Sequence, residues 1–418
     1  MRPVKILIVS QYYPPEFAII PSELAQILTA RGHSVRVLTG FPNYPQGKLY
    51  AGFKQSWRHI EFQGDVVVRR VPMFIDHSQN GLARVGNYLS FAFGTVMATR
   101  FARGADVVYV YATQMTAAAA PQLWRSLFGI PYVLHVQDLW PESVTGSSIV
   151  RSGLIANLVN HLLGPWLSSV YRLSAAVIAI APTMRGMLAD RGVPEKKLHT
   201  VLNWASDSAD VVRGPIDAEH ADGLCVVYAG NIGELQDLDT ALEAARLVQD
   251  LDGFRLIIVG TGVAEERLRK IASDGRIRNV EFRGRIDPAE MNAVYEESDF
   301  QLVTLRDLPI FRGTIPSKLQ GSLAKGVPII TNVAGDVTRI VSEAGVGLTV
   351  PPENAHALAD AFREAHSMSV EMRRDLGRRG RELYLRSMSA RAGVDAIEAV
   401  LKAATIEEDN RGNRCNEE

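Results

Sequence analysis

Residues 226–248 read VVYAGNIGELQDLDTALEAARLV. A β-branched run ends at Tyr228, a loop carries Gly230, Asn231 and Gly233, and a run with apolar residues at helical spacing follows. Small residues in such a turn let backbone N–H groups approach an anion, and the start of the helix adds roughly half a positive charge. The stretch has the build of a diphosphate cradle, or of a tight strand–helix turn with no ligand. Outward from it the same alternation repeats. Strands are predicted at 224–228, 254–259, 280–282, 300–303, 327–331 and 347–350, with helices at 238–250, 264–273, 288–297 and 318–324. Upstream, strands are predicted at 4–9, 35–38, 66–71, 107–111, 132–136 and 177–180. A helix at 21–31 has Pro21 in its first turn and Gly32 as its cap.

Continuous apolar strands separated by helices imply parallel sheets covered on both faces. The pattern restarts after an irregular stretch at 203–223. The chain therefore reads as an α/β protein of two doubly wound Rossmann-like domains, 1–205 and 206–385. A last helix at 386–405 is expected to pack back across the hinge, and 406–418, which lacks apolar periodicity, to be a flexible tail. Parallel sheets open at the carboxyl ends of their strands, so the expected ligand site is a cleft between the domains.

Composition narrows the function. The chain has 418 residues, with 45 Lys+Arg against 46 Asp+Glu, and that balance argues against a nucleic-acid binder. Cys225 and Cys415 make no disulfide scaffold, and no Cys/His set has zinc spacing. The opening MRPVKILIVS passes straight into a strand without a cleavage site, which points to a cytoplasmic protein. No run approaches ~20 apolar residues, the length of a membrane span. The nearest, YLSFAFGTVMA at 88–98, is flanked by Arg84, Arg100 and Arg103. It reads as a buried core helix or as a helix touching a membrane surface, and the apolar 155–171 run raises the same question.

Three further constellations carry chemistry. Gly260-Thr261-Gly262 follows LIIV and repeats the glycine turn. In PIFRGTIPSKLQGSLAKGVPIITN, 309–332, Thr314, Ser317 and Lys318 open a helix, where hydroxyls, amides and an ammonium can converge on phosphate; Ser317 as a plain cap and Lys318 as a solvated lysine is the alternative. In PYVLHVQDLWPESV, 131–144, Asp138 stands just past a strand, placed to accept a proton or steady a cationic sugar centre, or to cap a helix from Pro141. His135 lies within the strand and reads as a core histidine. The loops QYYPPEF, 11–17, and GFPNYPQGK, 40–48, present Glu16, Phe17, Asn43 and Tyr44 as an acceptor pocket or as rigid turns. Asp237-Leu238-Asp239 spells a metal-type pair, yet a first helical turn favours acidic residues anyway, so no metal ligand is assigned. No P-loop, nucleophile elbow or complete dinucleotide fingerprint is present.

Taken in order, KILIVSQYYPPEFAIIPSELAQILTARGHSVRVLTG, GFPNYPQGKLY, HVQDLWPES, Asn203-Trp204, YAGNIGELQDLDTALEAA, LIIVGTG, VEFRGRI and IPSKLQGSLAKGVPII resemble the retaining GT-B glycosyltransferases of the glycogen-synthase and mannosyltransferase type, GT4-like in class. The similarity spans nearly the whole chain. It is nearest to bacterial enzymes of O-antigen, capsule and colanic acid synthesis, fucosamine-transferase-like members included. The resemblance implies a donor held by the C-terminal domain and an acceptor held by the N-terminal one. It implies a nucleoside-diphosphate sugar such as a UDP-sugar as co-substrate, no required cofactor or metal, a lipid-linked saccharide acceptor, and work at the cytoplasmic membrane surface.

In matching positions the resemblance puts Gly233 on the diphosphate, Lys318 facing the phosphates and Asp138 near the reacting carbon. The donor set it implies comprises Gly230, Asn231, Gly233, Gln236, Gly260, Gly262, Arg283, Arg312, Thr314, Ser317 and Lys318. The chain departs from the family where its paired glutamates stand as Gly313 and Gly321, and where its Arg and Lys stand as Asn231 and, approximately, Gln236. Those changes shift electrostatic work onto Lys318, helix dipoles and Arg283 or Arg312. Two other functions share the shape, a nucleotide-sugar epimerase and an inactive donor-binding subunit.

Overall fold

The computed structural model describes residues 3–76, 81–140, 153–205, 223–287 and 290–417, with side chains left aside at 81–82, 153–162, 310 and 407–417. It divides into two compact units, one of residues 1–202 with 393–418 and one of 203–392. The helix foreseen from Pro141 and the linker at 206–222 lie outside the described residues.

The first unit is built on eight strands. They are β1 (Lys5–Ser10), β2 (Ser34–Gly40), β3 (Ile60–Gln63), β4 (Val66–Val71), β5 (Val107–Ala112), β6 (Tyr132–Val136), β7 (Ala176–Ala179) and β8 (Leu198–Thr200), in sheet order 3-4-2-1-5-6-7-8. All pairings are parallel except β3 with β4. Leu7, Ile8 and Val9 are fully buried, which explains a run of apolar residues with no alternation. Strand order reverses between β1 and β5, so the loops after them diverge and leave a crevice at the carboxyl edge. Two of these strands lie outside the predicted runs. β3 alternates half-exposed with exposed residues and carries no apolar run, and β8 is three residues at the sheet edge.

The chain's last segment belongs to this unit. Arg31 pairs with Asp395 and Glu398, Lys402 pairs with Glu398, and His33 Nε2 lies 3.1 Å from Glu398 while its Nδ1 accepts from the Val4 amide. That helix runs Ala390–Glu417, well past the end foreseen near 405. The stretch IEEDNRGNRCNE has no Pro to end a helix, and its Glu and Arg are good helix formers, so the backbone continues without apolar periodicity.

The second unit carries β9 (Leu224–Ala229), β10 (Phe254–Val259), β11 (Val280–Gly284), β12 (Phe300–Val303), β13 (Ile329–Thr331) and β14 (Gly347–Thr349) in order 11-10-9-12-13-14, all parallel. Val226, Leu256, Leu302 and Ile330 from the sheet pack on Leu238, Leu242, Leu358 and Phe362 from helices. The order reverses between β9 and β12, at the end of β9 where the opening glycine turn begins.

Candidate functional site

At the carboxyl ends of β9, β10 and β11 lies a cavity of about 260 Å³ walled by Gly230, Gly260, Arg285, Ile286, Met291, Tyr295, Ser317 and Lys318, among others. Among the described residues its wall carries two cationic side chains and no carboxylate. Its floor is made by glycines meeting backbone to backbone. A Cβ on Gly260 would stand 1.9 Å from the Gly230 carbonyl oxygen, and one on Gly262 would stand 2.2 Å from that of Ile232. The Gly230 amide donates to Val259 O (2.9 Å), that of Gly260 to Gly284 O (2.7 Å), and that of Ile232 to Thr261 O (3.0 Å). These donors are spent inside the fold. Gly260 and Gly262 are required for close approach of two turns, and the amides of Gly230 and Gly260 are not available to a ligand.

Gly230 has a second task. A Cβ there would sit 2.4 Å from Lys318 Cε, so the bare turn is the bed on which the lysine lies. The Lys318 ammonium rests 3.7 Å from the centroid of the Tyr228 ring, with no carboxylate in ion-pair range among the described residues. Ring attraction replaces only part of its hydration. Burial accordingly pushes this lysine down to about 7 from its ordinary value near 10.5. Lys318 is the second residue of the Ser317–Lys325 helix, whose preceding Pro316 supplies no side-chain cap. An uncapped helix start, a desolvated ammonium and the Arg285 guanidinium thus surround one cavity, an arrangement suited to a multiply charged anion.

The remaining donor candidates sort by what holds them. The Gly233 amide donates to no acceptor among the described residues, and a Cβ there would meet Gln236 Oε1 at 2.5 Å and Asn231 Nδ2 at 2.7 Å. Asn231 and Gln236 lie 3.4 Å apart through their amides, forming a polar lip beside that turn. Thr314 follows the short helix Pro309–Gly313 and does not wall the cavity. Arg312 pairs with Asp307 at 3.2 Å. Arg283 is gripped by Glu297 at 2.5 Å and by Glu281 at 2.8 Å. Arg285, which the sequence motifs did not single out, lines the cavity instead. Between Phe282 and Gly284 the β10–β11 register slips by one residue, and Gly284 takes φ +68°. The bulge separates Arg283, held at the strand by its carboxylates, from Arg285 at the cavity wall. At Gly321, where the family resemblance leads one to expect glutamate, the Tyr295 hydroxyl lies 3.1 Å from where a Cβ would stand.

The acidic pair Asp237 and Asp239 does not converge. Asp237, at φ +51°, accepts from Thr240 Oγ1 (2.7 Å) and Asn332 Nδ2 (2.6 Å), while Asp239 pairs with Arg267 and Arg306.

In the first unit the candidates separate equally clearly. Glu16 is buried, and its Oε1 accepts from the amides of Asn43 (2.6 Å) and Tyr44 (2.8 Å). This carboxylate fastens one loop to the other, and burial still pushes it above the ordinary glutamate value against those bonds. Asn43 is also fully buried, with its Nδ2 donating to Phe41 O. Neither Glu16 nor Asn43 presents a free polar group to a pocket. Phe17 is 82% exposed, and Tyr44 is half-exposed with its ring 5.4 Å from that of Tyr12. Asp138 stands two residues past β6 and reaches solvent, yet enough protein surrounds it to raise its carboxyl above the usual range by desolvation. His135 is a core residue. Its Nδ1 meets the Tyr109 hydroxyl, and burial pushes it down to about 3, so it stays neutral.

Comparison with known proteins bears on both units. Residues 20–204 match the family described as a glycosyl transferase 4-like domain, and 217–383 match glycosyl transferases group 1. A putative colanic acid biosynthesis glycosyl transferase of Escherichia coli K12, WcaI, is 29% identical over 87% of this chain and 92% of its own. Among solved structures, the sucrose-phosphate synthase of Thermosynechococcus elongatus superposes with a TM-score of 0.69 at 16% identity, over 95% of this chain and 98% of that one. Anabaena HepE in complex with UDP gives 0.65 at 14% identity over 96% and 100%.

Proposed function

Because the chain belongs to the GT-B glycosyltransferases, with a glycosyl transferase 4-like unit followed by a group 1 unit, we propose that it moves a sugar from a nucleoside-diphosphate donor to a lipid-linked saccharide in bacterial surface polysaccharide synthesis, with retention of anomeric configuration, at the cytoplasmic face of the membrane. The name of its colanic acid relative supports the pathway class, and the UDP held by the HepE structure supports a nucleotide donor. One observation carries the reading. Lys318 lies desolvated and carboxylate-free over the Gly230 turn, at a helix start, in a cavity shared with Arg285.

In transfer, the bond from the sugar's anomeric carbon to the diphosphate oxygen breaks, a bond to the acceptor hydroxyl forms, and that hydroxyl's proton passes to the departing diphosphate. Most of the barrier is charge growing on the departing diphosphate, which fixed cations and amides lower. This reading gives that work to Lys318, Arg285, the Gly233 amide and the start of the Ser317–Lys325 helix. Tyr295 offers its hydroxyl beside Gly321, in place of the carboxylate that other members carry. Asp138 serves at the reacting carbon, and Phe17 and Tyr44 serve as apolar acceptor contacts.

The test is a titration of wild type and Lys318→Ala with UDP, GDP, dTDP and their sugars. Saturable binding of at least one, weakened in the variant, is expected. Equal affinity in both proteins would remove Lys318 from the site, and NMR showing epimerised donor without acceptor would replace transfer by epimerisation.

A further inference from the structure

The helix Gly81–Met97 is apolar on two faces. Its inner face is fixed by Phe91, by Asn87, which donates to Phe74 O and accepts from Gln11, and by Gly94, whose Cβ would lie 3.0 Å from Pro72 O. Its outer face shows Val85, Leu89, Phe93 and Met97, 37%, 56%, 59% and 58% exposed, at successive steps of four residues. Such steps align side chains in a slowly turning stripe, here about 18 Å long at about 1.5 Å per residue. The stripe widens through two neighbours. Trp57, half-exposed, meets Phe93 edge to face at 6.3 Å, and Phe74, half-exposed, lies over Gly86.

Charge around this face is one-sided. Residues 24–60 contain Arg31, Arg36, Lys48, Lys54 and Arg58 and no Asp or Glu, and residues 77–105 contain Arg84, Arg100 and Arg103 and again no acid, in a chain whose total is balanced. Lys54 and Arg58 flank Trp57, and Arg100 follows Met97. All three are exposed and have no carboxylate partner among the described residues. No helix of the described residues is long and apolar enough to cross a membrane. Large aliphatic and aromatic groups standing out beside Lys54, Arg58 and Arg100 match the interface of an anionic bilayer, where apolar groups enter the acyl boundary and cations meet the headgroups. A second copy of the chain would have to answer these cations with acidic groups, and residues 24–60 and 77–105 contain none, Asp76 beside Phe74 standing just outside them.

We infer that the outer face of the Gly81–Met97 helix, with Trp57 and Phe74, docks the first unit on an anionic lipid surface. This rests on the lipid-linked acceptor reading for its purpose, while its evidence is the stripe and the charge around it. The experiment is co-flotation of the full chain with vesicles of phosphatidylethanolamine and phosphatidylglycerol against pure phosphatidylcholine. Wild type and Leu89→Ser/Phe93→Ser are compared, with donor titration of the same samples run alongside. Wild type is expected to float with the anionic vesicles, less so as salt rises, and the double variant to partition at least about tenfold more weakly. Donor affinity should be the same in both, so loss of the donor reading and loss of the docking reading register separately. Equal partitioning of the two proteins overturns the inference. So does failure of wild type to float at low salt. A wild-type dimer that the double variant abolishes, without flotation, gives the face to self-association instead.

Discussion

The two units open loops at the carboxyl ends of parallel strands and furnish them in opposite ways. After β9 and β10 the turns are stripped of side chains, so that Gly230 and Gly260 touch through their backbones and Lys318 lies across them. After β1 and β2 the loops are crowded with Tyr, Pro and Phe, and a buried carboxylate, Glu16, ties them together through two amides. In the second unit the amine keeps its valence for a ligand. In the first the carboxylate has spent its own on the fold. A charged side chain at the mouth of a sheet is therefore a binding group only when nothing inside the protein already answers it, and the difference is measurable.

The harshest way to break the contrast is Gly260→Ala. Its Cβ would stand 1.9 Å from Gly230 O, which forces the two turns apart, and a φ of +131° disfavours any side chain as well. Destabilisation of about 3 kcal/mol or more is expected in denaturant unfolding of the second unit, with donor binding lost. Lys318→Met comes next. It keeps the stem over Tyr228 and removes the charge, and donor affinity should fall about 30- to 100-fold, the range for a lost charge-assisted contact. The wild type should also show a pH signature. With Lys318 near 7 in the free protein, a diphosphate binds its protonated form, so affinity should weaken as pH rises from 7 toward 9, by up to about tenfold per unit. Titration in buffers of different ionisation enthalpy should show proton uptake, and the methionine variant should show neither effect.

Glu16 sharpens the other side. Glu16→Ala leaves the buried Asn43 and half-buried Tyr44 amides without an acceptor and should cost the first unit about 2 kcal/mol. Glu16→Gln keeps an acceptor for both amides. Burial raises the Glu16 pKa in the fold above its unfolded value, so its contribution to stability is greatest below the unfolded value near 4.5 and declines as pH rises through the folded one. Glutamine escapes that decline, and at pH 7 it should lie within about 1 kcal/mol of wild type. A large loss in Glu16→Gln, or none in Glu16→Ala, would mean that the carboxylate is not the loop fastener.

Which of this was legible before any coordinates follows the same line. The buried inner strands of both sheets read correctly because they have no alternation to confuse, as in Leu7–Val9 and Val226–Val227, while the edge strands β3 and β8 gave no such run. The meeting of Lys318 with the glycine turn, 88 positions apart, was visible only as two separate phosphate-suited motifs. What could not be read was competition for a side chain. Nothing in Glu16, Arg283 or Arg312 says that a neighbour in space has already claimed it. Nor does composition reveal that the outer stripe of the Gly81–Met97 helix is uncovered, since the same residues would suit a core.

Arg283 and Arg285 bring that competition to its smallest and cleanest case. The two arginines are separated by one residue, Gly284, and carry the same charge, yet Arg283 is held by Glu281 and Glu297 while Arg285 walls the cavity with no carboxylate partner among the described residues. Total charge near the site is identical if either is removed, so a long-range field would respond to both equally. A contact would respond to one alone. Arg285→Ala should weaken donor binding about three- to tenfold, as expected for one partly solvated cation on a phosphate, whereas Arg283→Ala should stay within about twofold. Raising the salt concentration should shrink the first effect without reversing the order. Were the two variants to bind donor alike, the bulge at Gly284 would have no bearing on the site, and the cavity's selectivity would have to come from Lys318 and the helix start alone.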